Sequence, residues 1–136
     1  MATTLVRVRY GETDQMRVVY HAAYLSYFEI GRTEFIRDLG LPYAEMERRG
    51  VLLAVAEASL RFHAAAKYDD LLRVETVLTR AGSRGVSFRY VITLEPDAKR
   101  LVSGHTDLVS LDAQGRPAPM PIDIRTLLAG VVAPDA

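Results

Sequence analysis

Apolar and polar positions along the chain follow two different periods, and the points where the period changes divide it into elements. Leu5, Arg7 and Arg9 alternate with Val6, Val8 and Tyr10, which predicts a first strand over Leu5–Tyr10. From Ala22 to Leu39 the repeat becomes helical. Tyr24, Tyr27, Phe28, Gly31, Phe35 and Leu39 recur every three or four residues as one apolar stripe, with Glu29, Arg32, Arg37 and Asp38 expected mostly opposite. Gly40 and Leu41-Pro42 supply the helix stop. Gly31 costs a helix about 1 kcal/mol relative to Ala, which a close approach of another backbone would explain. Tyr43–Arg49 reads as a short second helix closed by Gly50. From Val51 the strand period returns in Leu53–Ala65, Leu71–Arg80, Gly85–Leu94 and Arg100–Leu111. Turn residues part these segments at Tyr68-Asp69-Asp70, Gly82-Ser83, Glu95-Pro96-Asp97 and Asp112–Gly115. Pro117, Pro119 and Pro121 make a stiff extended stretch, and Ile124–Gly130 a last helical turn or two.

These elements predict an α+β fold, one domain over residues 1–136, in which a five-stranded antiparallel sheet is wrapped around one long helix. Short links between consecutive strands favour a meander. One layer of sheet covers one side of the helix. The free edge, and an outer face bearing Ala54, Ala56 and Ala58, therefore predict burial against a second copy, as a homodimer or homotetramer.

Composition narrows the function by exclusion. Lys and Arg number 17, as do Asp and Glu, so the formal charge is zero and there is no charged block to favour nucleic acid or a membrane surface. An anionic ligand must then be caught by local cations. With no cysteine, a thiolate–metal site and a disulfide framework are both impossible. His63 and His105 have no partners at metal-ligand spacing. The N-terminus lacks a charged start followed by an apolar run, and no apolar run approaches the ~20 residues a bilayer needs, so the expectation is a cytoplasmic protein. There is no Gly-x-Ser-x-Gly elbow and no Gly-rich phosphate loop opening a helix.

The chemistry concentrates in Tyr10-Gly11-Glu12-Thr13-Asp14-Gln15-Met16-Arg17-Val18-Val19-Tyr20-His21, between the first strand and the long helix. A carboxylate and an imidazole seven residues apart can converge when they sit in a loop, whereas regular structure rarely aims both at one atom. Asp14 has two readings: a reactive carboxylate, or an Asx residue capping a turn. Tyr10 is a pocket wall with a useful hydroxyl or a core aromatic. His21 offers its ring or only its backbone N–H.

Tyr10-Gly11-Glu12-Thr13-Asp14, then Val18-Val19-Tyr20-His21-Ala22-Ala23-Tyr24, then Tyr27-Phe28-Glu29 and Arg32-Thr33-Glu34, resemble the hotdog-fold acyl-CoA thioesterases. The similarity is greatest to the 4-hydroxybenzoyl-CoA thioesterase type and its tol-pal-associated relatives. Tyr68-Asp69-Asp70 before Leu72-Arg73-Val74-Glu75 extends the resemblance, which covers almost the whole chain. It implies a hotdog fold, protomers joined edge to edge, and sites at the subunit interface.

It also implies Asp14 as the catalytic carboxylate, with Tyr10 and His21 as site partners and the His21 backbone N–H as oxyanion donor. Arg84, in the Gly82–Gly85 turn, matches a position where benzoyl-type relatives place cations for the coenzyme A phosphates. No cofactor is implied beyond coenzyme A as part of substrate and product. Two departures stand out: relatives usually carry Gly at Arg17 and commonly Asn at Ala23. Arg17 would narrow the pocket or contact an acyl or phosphate group.

Thioester hydrolysis by this reading leaves Asp14 as nucleophile or general base. The helix N-terminus would stabilise the developing oxyanion. A hotdog enoyl-CoA hydratase and a non-catalytic acyl-CoA-binding module are the alternatives; the hydratase signature is absent, and intact Asp14 and His21 argue against the binding module.

Overall fold

The computed structural model describes residues 1–133. Strand β1 spans Ala2–Arg7, helix α1 Ala23–Asp38 and helix α2 Tyr43–Arg48. Strands β2 (Leu52–Phe62), β3 (Leu71–Ala81), β4 (Gly85–Leu94) and β5 (Lys99–Leu111) follow, then helix α3, Ile122–Ala129. The strands form one antiparallel sheet in the order β1-β3-β4-β5-β2.

The meander holds for β3-β4-β5, where turns are short enough to make hairpins. It fails for β2, which lies at the far edge against β5 and never touches β3, while β1 takes the opposite edge beside β3. Alternation decides which face of each strand is covered. Leu72, Val74, Thr76 and Leu78 of β3 are buried while their neighbours are half-buried, so the sheet turns one face to the helices.

Helix α1 lays Tyr24, Tyr27, Phe28, Gly31, Phe35 and Ile36 on that face. The Phe28 ring stacks on Tyr90 at 4.2 Å between centroids. Gly31 lets α1 approach β3 closely: a Cβ there would sit 2.5 Å from Thr76 Oγ1 and 2.9 Å from Val74 Cγ1. The close approach is to side chains of β3 rather than to another backbone.

Several boundaries and faces differ from the sequence expectation for physical reasons. β1 starts at Ala2 because Ala2–Arg7 pairs in continuous register with Thr76–Leu71, and it ends before Tyr10. Tyr10–Glu12 instead forms a 3-10 turn, in which Glu12 accepts the Arg9 N–H. β2 stops at Phe62, and α3 begins at Ile122, just after Pro121. Ala54, Ala56 and Ala58 do not share a face. A bulge between Val55 and Glu57 reverses the alternation, so Ala54 pairs with exposed Val109 while Ala58 pairs with buried Thr106. Arg32 is buried rather than facing water, since it stands four residues after Phe28 and three before Phe35, on the stripe itself.

Candidate functional site

The loop between β1 and α1 is a small hairpin pinned at several points. Thr13 and Val19 form an antiparallel bridge. Inside it the Asp14 N–H donates to the Val18 carbonyl at 3.0 Å and the Arg17 N–H to the Asp14 carbonyl at 2.9 Å. The Val19 N–H reaches the Ala66 carbonyl at 2.8 Å, and the Ala66 N–H donates to the Tyr24 hydroxyl at 3.2 Å, tying the hairpin to α1 through the segment after β2.

Glu12 supplies the second anchor. Its Oε1 accepts from the Arg9 N–H at 2.8 Å and from the buried Tyr27 hydroxyl at 3.0 Å. Burial first, and then the Glu12 carboxylate, push the Tyr27 phenol far above its ordinary pKa, so it stays a donor.

Asp14 caps the turn and also borders open space beside the loop. Its Oδ1 accepts the Met16 N–H at 2.8 Å, the Asx turn that shapes the hairpin. Its other oxygen has no hydrogen-bond partner among the described residues. The carboxylate is half-buried and lines two adjoining depressions. One, of about 320 Å³, is bounded by Met16, Val18, Val19, His21, Tyr24, Phe62, His63, Ala64 and Ala65. The other, of about 640 Å³, is bounded by Tyr10, Thr13, Gln15, Arg17 and Tyr68.

The structure thus brings Asp14 together with His21 on one side and with Tyr10 on the other. Tyr10 is a wall residue, 77% exposed and edge-on to Tyr68 at 5.7 Å, not a core aromatic. The His21 ring leans on Tyr20 at 4.4 Å. The backbone N–H groups of His21 and Ala22 take no acceptor among the described residues, where α1 presents its positive dipole end.

Arg84 is not brought to this place. It sits in the turn after β3, whereas the loop lies beside the start of β3, about 30 Å away along an 11-residue strand. Arg17 adopts φ 65°, the left-handed region, as the closing residue of the Asp14–Val18 turn. A Gly is favoured there by backbone alone, so this departure from the relatives concerns conformation as well as the pocket.

Sequence reasoning missed Phe62 and His63, which reach the groove from the end of β2 some 50 residues downstream. The alternation Ser59, Arg61, His63 was the available signal. Among the described residues no group of three or more His, Asp or Glu is placed to hold a metal ion, and no helix is long and apolar enough to cross a membrane.

A family model for the Thioesterase-like superfamily matches residues 8–128. The chain belongs to that superfamily. Among sequence relatives, it is 45% identical over 71 residues to the putative acyl-CoA thioesterase YneP of Bacillus subtilis, covering 52% of this chain and 51% of that protein. The chain therefore spans about half the length of that relative. A hypothetical protein from Thermus thermophilus shares the architecture at a TM-score of 0.91 and 37% identity, over 96% of this chain and 99% of the other. The DHNA-CoA thioesterase of Staphylococcus aureus superposes with a TM-score of 0.91 at 26% identity, over 96% of this chain and 89% of its own. The five-stranded antiparallel sheet with its helices is the hotdog fold of the superfamily.

Proposed function

We propose that the chain hydrolyses acyl-CoA thioesters to the free acid and coenzyme A. The observation that carries this reading is the convergence, in one half-apolar groove, of a carboxylate with one unengaged oxygen and the acceptor-free N–H end of α1. An acyl chain would lie along Val18, Val19, Tyr24 and Phe62, with its carbonyl between Asp14 and the His21 N–H. The Oδ1 bond to Met16 fixes the carboxylate plane, leaving the second oxygen to attack the carbonyl or to deprotonate water. The amides of His21 and Ala22 would hold the oxyanion in place, an arrangement in which one donor is worth about 10²–10³ in rate. Tyr10 and the His21 ring would support from the two sides. Coenzyme A enters as part of substrate and product, and no other cofactor is needed.

The finer assignments belong to the same proposal. Residues 1–136 would act as one hotdog domain with α1 as its long central helix, in the branch of 4-hydroxybenzoyl-CoA and tol-pal-associated thioesterases, in the cytoplasm. A homodimer or homotetramer is favoured by β2, an edge strand that leaves Val55 48% and Phe62 52% exposed. A partner would also cover the groove, whose Phe62 wall is now half open.

The test is thiol release from a panel of acyl-CoA thioesters by the purified chain, with Asp14→Asn beside it. Hydrolysis by the parent and a drop of at least about 10²-fold in the variant would support the assignment. An Asn variant equal to the parent would remove Asp14 from the chemistry. Loss of enoyl-CoA absorbance without free thiol would make the chain a hydratase.

A further inference from the structure

The outward face of the sheet carries a concentration of positive charge that the hydrolytic groove does not use. Register places Ser59, His105 and Arg89 side by side across β2, β5 and β4, with Arg61, Ser103 and Val91 in the next row. The rows between them, such as Leu60, Gly104 and Tyr90, face Phe28 and the core. The two outward rows therefore share the face turned away from α1. With Arg100, they line an open depression of about 580 Å³ that has no carboxylate in its wall.

Arg9, Arg37, Arg48, Arg49, Arg73 and Arg116 are each paired with an acidic side chain. Arg61, Arg89 and Arg100 have no ion-pair partner among the described residues. Carboxylates flank the depression on the same face, Glu75 beside Val91 and Glu57 with Asp107 in the row next to His105. In a chain of zero formal charge, three guanidiniums without an ion-pair partner among the described residues still form a local anion trap. The hydroxyls and imidazoles between them add polar groups, with Ser59 Oγ 2.6 Å from His105 Nδ1 and His63 Nε2 3.0 Å from Ser103 Oγ.

That last contact joins the two sites. His63 lines the groove that contains Asp14, and Ser103 lines the cationic depression. Arg61 lies about 7 Å, and the Ser59–Arg89 row about 14 Å, along the sheet from His63. A substrate whose thioester sits at Asp14 and whose flexible arm ends in phosphates can lie over His63 and reach the arginines. Guanidinium groups match phosphate oxygens with paired hydrogen bonds.

We propose that Arg61, Arg89 and Arg100 dock the phosphate groups of the coenzyme A half of the substrate. The inference rests on the thioesterase reading, and it replaces Arg84 as the phosphate contact within one protomer.

The experiment compares an acyl-CoA with the acyl-pantetheine of the same acyl group, which has the same arm but lacks the nucleotide and its diphosphate. The enzymes are the parent and the Arg61→Gln/Arg100→Gln double variant, and free coenzyme A binding is measured by calorimetry alongside. The kcat/KM ratio of acyl-CoA to acyl-pantetheine is expected to fall at least about tenfold in the variant, through KM, with coenzyme A binding weakened to match. A ratio within twofold of the parent's, by about 0.4 kcal/mol, overturns the docking site while leaving the hydrolase reading intact. So does a loss that is equal for both substrates, or a changed oligomeric state in the variant. If the parent releases no thiol from either substrate, the hydrolase reading falls. Calorimetry then still decides the site: weaker coenzyme A binding in the variant supports it, and equal binding rejects it.

Discussion

Removing the Tyr27 hydroxyl tests whether the loop is held in place by α1. Tyr27 is fully buried, and its hydroxyl donates to Glu12 Oε1 at 3.0 Å. Phe is the same shape without the donor, so Tyr27→Phe opens almost no cavity. A hydrogen bond to a charged acceptor contributes about 1.5–3 kcal/mol. The lower end applies here, because Glu12 Oε1 keeps the Arg9 N–H at 2.8 Å and is not orphaned. The expected loss is about 2 kcal/mol, or roughly 8 °C in Tm for a chain of this size. Urea denaturation of Tyr27→Phe, Glu12→Gln and the double variant gives the coupling, expected at about 1–2 kcal/mol because the pair is in direct contact. Thiol release should fall further than the folded fraction does, since the hairpin carrying Asp14 loses one of its two ties to the helix and keeps only the one through Ala66 and Tyr24. Additive single effects, or a Tyr27→Phe midpoint indistinguishable from the parent's, would refute the anchoring argument.

Gly31→Ala adds a methyl 2.5 Å from Thr76 Oγ1 and 2.9 Å from Val74 Cγ1, both stiff, buried side chains. Overpacking of about 1–3 kcal/mol outweighs the gain of about 1 kcal/mol in helix propensity, so chemical denaturation should show a net loss of about 1 kcal/mol. Arg17→Gly should leave stability within a few tenths of a kcal/mol, as relief of the left-handed residue offsets glycine's greater chain entropy, whereas Arg17→Val should lose about 1–2 kcal/mol. The Ser87 hydroxyl, 2.6 Å from Asp107, holds that carboxyl below its ordinary value. Its contribution is therefore full above the unfolded pKa of about 3.9 and is lost as pH falls through the lower folded value. Ser87→Ala should lower the urea midpoint at pH 7 and narrow the gap to the parent near pH 3.

Legibility in the sequence followed the range of the interaction. The stripe Tyr24–Phe35 repeats locally over several turns, and α1 appears within one residue of its expected start and finish. β3 and β4 were readable because alternation and turn residues both lie inside the hairpin. The place of β2 was not, since its pairing with β5 joins residues about 50 positions apart, beyond the reach of any local pattern. Arg32 shows a different failure. Its charge argued for water, yet its helical position puts it beside buried Tyr90 and half-buried Tyr43. Burial comes first in pushing the Tyr43 phenol up to about 12, and the nearby guanidinium pulls the other way.

The candidate site carries the same lesson at smaller scale. Turn-capping and catalysis looked like competing explanations of Asp14, because each residue was assigned a single task. A carboxylate has two oxygens, and in this hairpin Oδ1 closes the turn on Met16, while its partner is left without a hydrogen bond among the described residues, in a residue that lines the groove. On the proposed mechanism, the cap fixes the side-chain torsions, so the oxygen that would react is oriented before substrate arrives, and less freedom would be lost in reaching the carbonyl. Replacing Asp14 with Asn keeps a carbonyl oxygen able to cap the turn while removing the charge. Thiol release and hairpin integrity should therefore separate in that variant, and if the hairpin is lost together with activity, the two oxygens were never independent.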